Sequence, residues 1–227
     1  MPAYLTQPLK RAALVNRNGL ATIDGGRRRK WSEVLDRVAR AAGGIAALDI
    51  GYGDRVALLA LNSDRYFELE FALPWAGAAM VPVNTRLSPA EVAHVLRDSG
   101  AVALVVDDSQ RACAEQLGDI LSGMKAVISL SETPVEGWIH YEDMVAGAEP
   151  LPDRLRGGGE MAGIFYTGGS SGRSKGVVLT HDNLSTNALN ALALIGYGRE
   201  SVYLHAAPMF HLTDGMSTYS LTMAGGT

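Results

Sequence analysis

The stretch that decides the fold occupies residues 161–180 and reads MAGIFYTGGSSGRSKGVVLT. Two apolar segments enclose a loop of small, hydroxyl and basic residues. Glycines without a Cβ let backbone N–H groups turn toward an anion. The hydroxyls of Thr167, Ser170 and Ser171 can donate hydrogen bonds to phosphate oxygens. Lys175 adds a positive charge. The stretch therefore predicts a strand, a phosphate-binding loop and a second short strand.

Two well-known phosphate loops do not fit this stretch. A Walker loop has Gly and Lys adjacent, then Ser or Thr, at the start of a helix. Here Gly172 and Lys175 are separated, and Gly176 follows the lysine. The dinucleotide fingerprint spaces its glycines differently and leads straight into a helix. The plain alternative is a flexible Gly/Ser linker. Apolar strands on both sides and a fixed lysine argue against that alternative.

Strand-like and helix-like segments alternate upstream of the loop. A hairpin is predicted around the turn at residues 24–26, and Ser88 and Glu91 form a capping box before a helix that ends at Gly100. Buried strands are predicted to begin near Arg55, Ala79, Ala101 and Ala126, with helices over 64–76 and 110–121. This alternation predicts an α/β fold, a mostly parallel sheet with helices on both faces.

The pattern is weaker in two places. Residues 131–159 contain three prolines and a triple glycine, which predict a loop or a short connector. Residues 201–207 are β-like, and residues 213–223 are helix-like.

Composition excludes several classes of protein. The net charge of −4 argues against a sequence-independent nucleic-acid binder. Cys113 is the single cysteine, which allows no internal disulfide and is interpreted as a small buried residue. Residues 1–10 lack a signal-peptide core, and no apolar run is long enough for a membrane span. We expect a cytoplasmic protein with no integral membrane segment and no nucleic-acid partner.

The loop resembles the Tyr-Thr-Ser-Gly-Thr-Thr-Gly-x-Pro-Lys-Gly signature of the adenylate-forming, or AMP-binding, superfamily. Two more motifs follow in order. Residues 180–184 resemble Thr-His-x-Asn, and residues 208–215 resemble Pro-x-Phe-His-x-x-Gly. Upstream segments also resemble the family, so the resemblance covers nearly the whole chain. The loop matches the signature by identity at Thr167, Gly169, Gly172, Lys175 and Gly176, and by residue type at Ser170 and Ser171.

Two positions depart from the signature. Gly168 stands where the family usually has serine, which removes a hydroxyl donor. Ser174 stands where the family usually has proline. Because serine leaves the backbone angle φ free, ordering the loop costs roughly 0.4–1 kcal/mol more than it would with proline. We expect a loop over 166–176 that is mobile without nucleotide.

For a complete enzyme the resemblance implies ATP-dependent activation of a small carboxylic acid. The acid attacks the α-phosphorus of Mg·ATP to give an acyl-adenylate, and coenzyme A then takes the acyl group. The sequence around residues 205–215 is most similar to acyl-CoA synthetases, including those of fatty-acid metabolism. ATP, Mg²⁺ and coenzyme A are the implied cofactors.

The resemblance also implies roles for single residues. His211 would lie near the reacting carboxylate, with a packed, hydrogen-bonded histidine as the alternative, and Lys175 would hold the β- and γ-phosphates. Thr167 is a candidate Mg²⁺ ligand. His181 is interpreted as part of a helix cap, and no partner is predicted for His205. The implied nucleotide-binding residues are Thr167, Gly168, Gly169, Ser170, Ser171, Gly172 and Lys175.

The family's later motifs do not occur in the sequence. We therefore expect residues 1–227 to be part of an amino-terminal AMP-binding domain, with the carboxy-terminal domain absent and the chain inactive alone. The alternative is a non-catalytic binding or scaffold module with a vestigial nucleotide loop. Apolar surface around residues 204–223 would be left uncovered, so we expect a homo-oligomer.

Overall fold

The computed structural model describes residues 3–168 and 174–227. Its described helices are α1 Gln7–Val15, α2 Trp31–Ala47, α3 Asp64–Trp75, α4 Pro89–Ser99, α5 Arg111–Glu115, α6 Asp119–Ser122, α7 Tyr141–Gly147, α8 His181–Ile195 and α9 Leu212–Ala224, with a 3₁₀ turn at Asp108–Gln110. Its described strands are β1 Leu20–Asp24, β2 Arg27–Lys30, β3 Arg55–Leu59, β4 Ala79–Pro82, β5 Ala103–Val106, β6 Ala126–Ser129, β7 Ile139–His140, β8 Met161–Thr167 and β9 Lys175–Thr180.

A seven-stranded sheet with the order β7-β6-β5-β3-β4-β8-β9 forms the centre of the molecule. All neighbouring strands pair in parallel except β8 and β9, which are antiparallel. The separate β1–β2 hairpin is also antiparallel. The four strands expected near Arg55, Ala79, Ala101 and Ala126 all belong to the parallel part of the sheet. The predicted α/β class is therefore confirmed.

Helices cover both faces of this sheet at its central strands, because these strands are apolar on both sides. Successive residues of β3 show the division. Val56 and Leu58 pack in one apolar core, and Ala57 and Leu59 pack in the other. The first core includes residues of α2, α3 and α8, and the second includes residues of α4. The described helices of the chain contain none long and apolar enough to cross a membrane.

Helix α4 begins and ends where the sequence predicts. The Glu91 carboxylate accepts the Ser88 backbone N–H at 2.8 Å, and Pro89 occupies the first turn. Gly100 ends the helix with φ +63°, a left-handed conformation that favours glycine. The helix is thus fixed at both ends.

All twelve residues of α3 are buried, including four with charged side chains. This differs from an amphipathic surface helix, and partners from other elements explain the difference. The carboxylate of Glu68 accepts hydrogen bonds from Arg37 of α2 at 2.6 and 3.0 Å and from the Tyr141 hydroxyl at 2.9 Å. Asp64 pairs with Arg27 at 2.9 Å. The charges of α3 therefore tie it to α2, α7 and the hairpin.

Three segments differ from the sequence-based expectations. The region 131–159, expected to be a loop or connector, contains β7 and α7. The helix expected over 110–121 is divided into α5 and α6 by Gly118, which has φ +52°. Residues 201–207 form no strand; instead Tyr203 N–H donates to Thr227 O at 2.9 Å.

The apolar surface expected around residues 204–223 is only partly present. Leu204 is 80% exposed, but Tyr219 and Leu221 of α9 are buried. Leu194 and Val202 are also largely exposed. The exposed apolar side chains therefore lie before α9 rather than along it, and self-association stays a prediction.

Candidate functional site

The phosphate-loop motif connects the antiparallel strands β8 and β9. In their register Thr167 lies opposite Lys175, and both residues are exposed. Directly opposed residues in an antiparallel pair have Cβ atoms about 4.5–5.5 Å apart, on the same face. The side chains of Thr167 and Lys175 therefore start next to each other, on one face, where the two strands end. The predicted ligands Gly169, Ser170, Ser171 and Gly172 lie outside the described residues, as does the central part, residues 169–173, of the loop expected to be mobile.

Packing requires glycine at one position of the motif but not at another. A Cβ at Gly176 would lie 2.7 Å from Ile164 Cγ2 and 3.0 Å from the Tyr166 ring, so glycine permits this close strand pairing. A Cβ at Gly168 would meet no described atom within 4 Å. Among the described residues, packing therefore leaves room for the serine of the family signature at position 168.

Helix α4 contacts both ends of the motif. The Tyr166 hydroxyl donates to the Asp98 carboxylate at 2.6 Å, and His94 Nε2 lies 3.2 Å from the Ser174 carbonyl oxygen. A carbonyl only accepts, so Nε2 carries the proton. Burial, followed by the neighbouring Asp98 carboxylate, raises the pKa of Tyr166. The phenol therefore remains a donor at neutral pH.

The motif lies at the carboxyl edge of the parallel strands, where α/β proteins commonly bind ligands. Strands β3, β4 and β8 run in the same direction, so the residues that follow β3 also reach this edge. Asn62 is one of them. Its amide group donates to His205 O at 2.8 Å and to Ala207 O at 2.7 Å, and it accepts from Met209 N–H at 2.7 Å. Asn62 thus anchors residues 205–209, which lead to His211, beside the strand ends.

His211 is exposed and occupies the N-cap position of α9. Its ring centroid lies 4.4 Å from that of Phe210. The side chain has no hydrogen bond to any part of the chain that the structure describes, so the alternative of a packed, hydrogen-bonded histidine is not what the structure contains. Its imidazole is available to a ligand.

A second histidine on this segment has a partner that the sequence did not predict. His205 Nδ1 lies 2.5 Å from Asp214 Oδ2, and the Tyr203 hydroxyl donates to Asp214 Oδ1 at 3.1 Å. Asp214 is fully buried. In the helix-cap motif, Thr180 Oγ1 accepts the Asn183 N–H at 3.1 Å. His181 is buried beside this cap rather than forming it, and burial lowers its pKa.

Two cavities adjoin the anchored segment. One of about 420 Å³ is lined by apolar side chains, including Trp31 and Phe67, and by polar ones, including Asp24, Asp64 and His205. The other, of about 290 Å³, is lined by Asn62, Arg86 and Phe210 among others. Within residues 3–168 and 174–227 there is no group of three His, Cys, Asp or Glu side chains placed to hold a metal ion. The only Mg²⁺ ligand predicted from the sequence, the Thr167 hydroxyl, lies at the exposed end of β8.

The sequence pointed to Thr167, Lys175 and His211, and the structure places the first two side by side. The sequence did not point to Asn62, His94, Asp98 or His205. The four-residue spacing of His94 and Asp98 on a predicted helix was the one local signal for that pair. Asn62 follows a buried strand at its carboxyl end, which is a common position for a site residue.

Comparison with known proteins identifies the family. Residues 6–227 match the model of one protein family, described as AMP-binding enzyme. The chain belongs to the AMP-binding enzyme family. A long-chain-fatty-acid–CoA ligase of Thermus thermophilus is 34% identical over 203 residues, covering 87% of this AMP-binding chain and 37% of that ligase. A feruloyl-CoA synthase of an Amycolatopsis species is 35% identical over 221 residues, covering 97% and 42% of the two proteins.

A solved structure supports the same assignment. ATP-bound MatB of Rhodopseudomonas palustris superposes with a TM-score of 0.86 at 28% identity, covering 100% of this chain and 44% of that protein. The AMP-binding chain therefore spans less than half the length of these relatives. The family and the fold are therefore shared with these relatives.

Proposed function

We propose that this chain supplies the nucleotide-binding part of an ATP-dependent acid–thiol ligase. The main support for this proposal is that Thr167 and Lys175 lie opposite each other at the carboxyl edge of the sheet. A carboxylate oxygen of the acid would bond to the α-phosphorus of ATP, and pyrophosphate would leave with the bridging oxygen. The thiol of coenzyme A would then lose its proton to solvent, its sulfur would bond to the acyl carbon, and the bond from that carbon to the AMP oxygen would break, releasing AMP.

The residues at the strand ends suit the first half of this reaction. The Lys175 ammonium group would neutralise the β- and γ-phosphates, and the Thr167 hydroxyl would donate to a phosphate oxygen or contact Mg²⁺. Bound Mg²⁺ would neutralise phosphate charge, and it usually keeps several waters and binds few protein oxygens. Gly168, Gly169, Ser170, Ser171 and Gly172 would complete the phosphate contacts with N–H and hydroxyl groups. This arrangement positions the leaving group and stabilises its charge.

His211 would contact the carboxylate of the acid. Its exposed imidazole, two residues from the Met209 that Asn62 anchors, supports this role. The relatives named above act on long-chain fatty acids and on a feruloyl group, so we propose a fatty or aryl acid as the substrate.

The test measures nucleotide binding to the 227-residue chain by NMR titration, which reaches the millimolar range. We expect a Kd for MgATP on the order of 1 mM or weaker, about −4 kcal/mol. Lys175→Ala should abolish the binding, because it removes the positive charge beside the phosphates. Lys30→Ala, which removes an exposed lysine from the β1–β2 hairpin, is the matched control. It should bind MgATP as the parent chain does.

A second assay follows pyrophosphate release with fatty and aryl acids. We expect little or no release from this chain alone, because the relatives that carry the activity are more than twice as long. Release at an ordinary enzyme rate would contradict that expectation. Absence of MgATP binding, or binding that Lys175→Ala leaves unchanged, would favour the non-catalytic module instead.

A further inference from the structure

Helix α4 holds both sides of the phosphate loop: one of its side chains bonds to a residue of β8, and another bonds to the residue that precedes β9. Asp98 accepts the Tyr166 hydroxyl at 2.6 Å, and Tyr166 immediately precedes Thr167. His94 donates to the Ser174 carbonyl oxygen at 3.2 Å, and Ser174 immediately precedes Lys175. Each bond therefore fixes the chain one residue away from a member of the Thr167–Lys175 pair.

The spacing of the two side chains matches the spacing of the strands. His94 and Asp98 are four residues apart, so they lie on one face of α4 and about 6 Å apart along its axis. Neighbouring strands lie about 4.8 Å apart. One turn of helix thus reaches across β8 and β9.

Helix α4 is a rigid support for these bonds. Its capping box and its left-handed Gly100 fix both ends. Its residues Val95 and Leu96 are buried in an apolar core against which Ile164 and Tyr166 of β8 also pack. The two hydrogen bonds therefore join the β8–β9 pair to the body of the domain rather than to another loop.

We propose that His94 and Asp98 are positioning residues that hold Thr167 and Lys175 in place for the triphosphate of ATP. This inference rests on the proposed function. Ordering the strand ends before the nucleotide arrives reduces the entropy lost on binding. Because His94 bonds to the backbone carbonyl of residue 174, the bond is independent of the side chain there. It compensates for the absence of the proline that the family signature carries at this position.

The test compares MgATP binding by NMR titration across variants of the whole chain. We expect His94→Ala and Asp98→Ala each to weaken binding by about three- to tenfold, the equivalent of one hydrogen bond. His94→Gln keeps an N–H donor and Asp98→Asn keeps a carbonyl acceptor, so both should stay within about twofold of the parent chain. Arg97→Ala, on the same helix and exposed, is the control and should bind like the parent. Urea unfolding of each variant confirms that it is folded.

Each outcome decides the matter. If His94→Ala and Asp98→Ala bind MgATP as tightly as the parent chain while Lys175→Ala does not bind, the positioning role is wrong and the proposed function stands. If His94→Gln and Asp98→Asn bind as weakly as the alanine variants, the specific hydrogen bonds are not responsible and the positioning role is also wrong. If Lys175→Ala binds like the parent, or the parent does not bind, both proposals fail.

Discussion

His205 Nδ1 donates to Asp214 Oδ2 over 2.5 Å, and Asp214 is completely shielded from solvent. The bond joins the segment before α9 to the first turn of that helix. Because Nδ1 faces the carboxylate, Nε2 is the nitrogen of His205 that is left for other contacts. The imidazole lines the cavity of about 420 Å³, so this segment presents two histidines, His205 in a cavity and His211 on the surface.

Removal of the Asn62 side chain should loosen this segment. Asn62→Ala deletes three hydrogen bonds of 2.7–2.8 Å, and we expect the free energy of unfolding to fall by about 1–3 kcal/mol. Asn62→Asp should also lower the free energy of unfolding, because its carboxylate would face the carbonyl oxygens of His205 and Ala207. Urea unfolding measures both variants. The control is Asn190→Ala on the exposed face of α8, which should not reduce stability, and an equal midpoint for Asn62→Ala and the parent would show that the anchor is unimportant.

Glu70 should make stability fall as pH rises. Burial, followed by the negative charge of Asp214, raises the pKa of Glu70 well above its usual value of 4.5. The folded state therefore keeps a proton that the unfolded state releases. The contribution of Glu70 to stability is complete below the unfolded pKa and is lost as pH rises toward the folded pKa, by up to about 1.4 kcal/mol per pH unit.

Glu70→Gln tests this effect because the amide cannot titrate. We expect the variant to be more stable than the parent at pH 8, with the difference shrinking toward pH 4, as measured by urea unfolding across that range. Comparison of variant with parent cancels the titration of other groups. The matched control is Glu136→Gln, which replaces an exposed carboxylate. A difference that stays constant from pH 4 to pH 8 would argue against a raised pKa at Glu70.

Gly163 should be required where β4 and β8 meet. A Cβ there would lie 2.8 Å from the Met80 carbonyl oxygen and 3.0 Å from the Phe165 ring. Gly163→Ala forces one strand away from the other, and we expect a loss of about 1–3 kcal/mol in the free energy of unfolding. Gly159→Ala, where a Cβ would meet nothing within 4 Å, should change stability little. Equal thermal midpoints for the two variants would contradict the steric argument.

The fold was predictable where the information is local. The parallel strands that begin at Arg55 and Ala79 are short apolar runs, and α4 has cap residues at both ends. The strand Ile139–His140 could not be recognised, because two residues carry no periodicity and its pairing with β6 depends on the folded sheet. The division of the helix expected over 110–121 was not recognised either, because the positive φ of Gly118 is not evident from the neighbouring residues.

The candidate site was predictable only for residues within a motif. Thr167 and Lys175 belong to one continuous stretch, and their direct opposition follows from the pairing of β8 with β9. Asp98 is 68 residues from Tyr166, and Asn62 is 147 residues from Met209, so no sequence pattern could join them. The burial of the charged residues of α3 was equally unpredictable. The sequence suggests that Glu68 is exposed to solvent, and only the folded structure places Arg37 and Tyr141 beside it.

The complete burial of α3 has a consequence for hydrogen exchange. Every residue of Asp64–Trp75 lies inside the domain, and ion pairs join the helix to α2, α7 and the hairpin. The hydrogen-bonded amides of such a helix can reach deuterated solvent only when the structures around it separate. Their exchange rates would therefore report the opening of the whole domain. Those of α8, which carries exposed residues along its length, would report local fraying, so the two helices offer separate measures of global and local stability within one experiment.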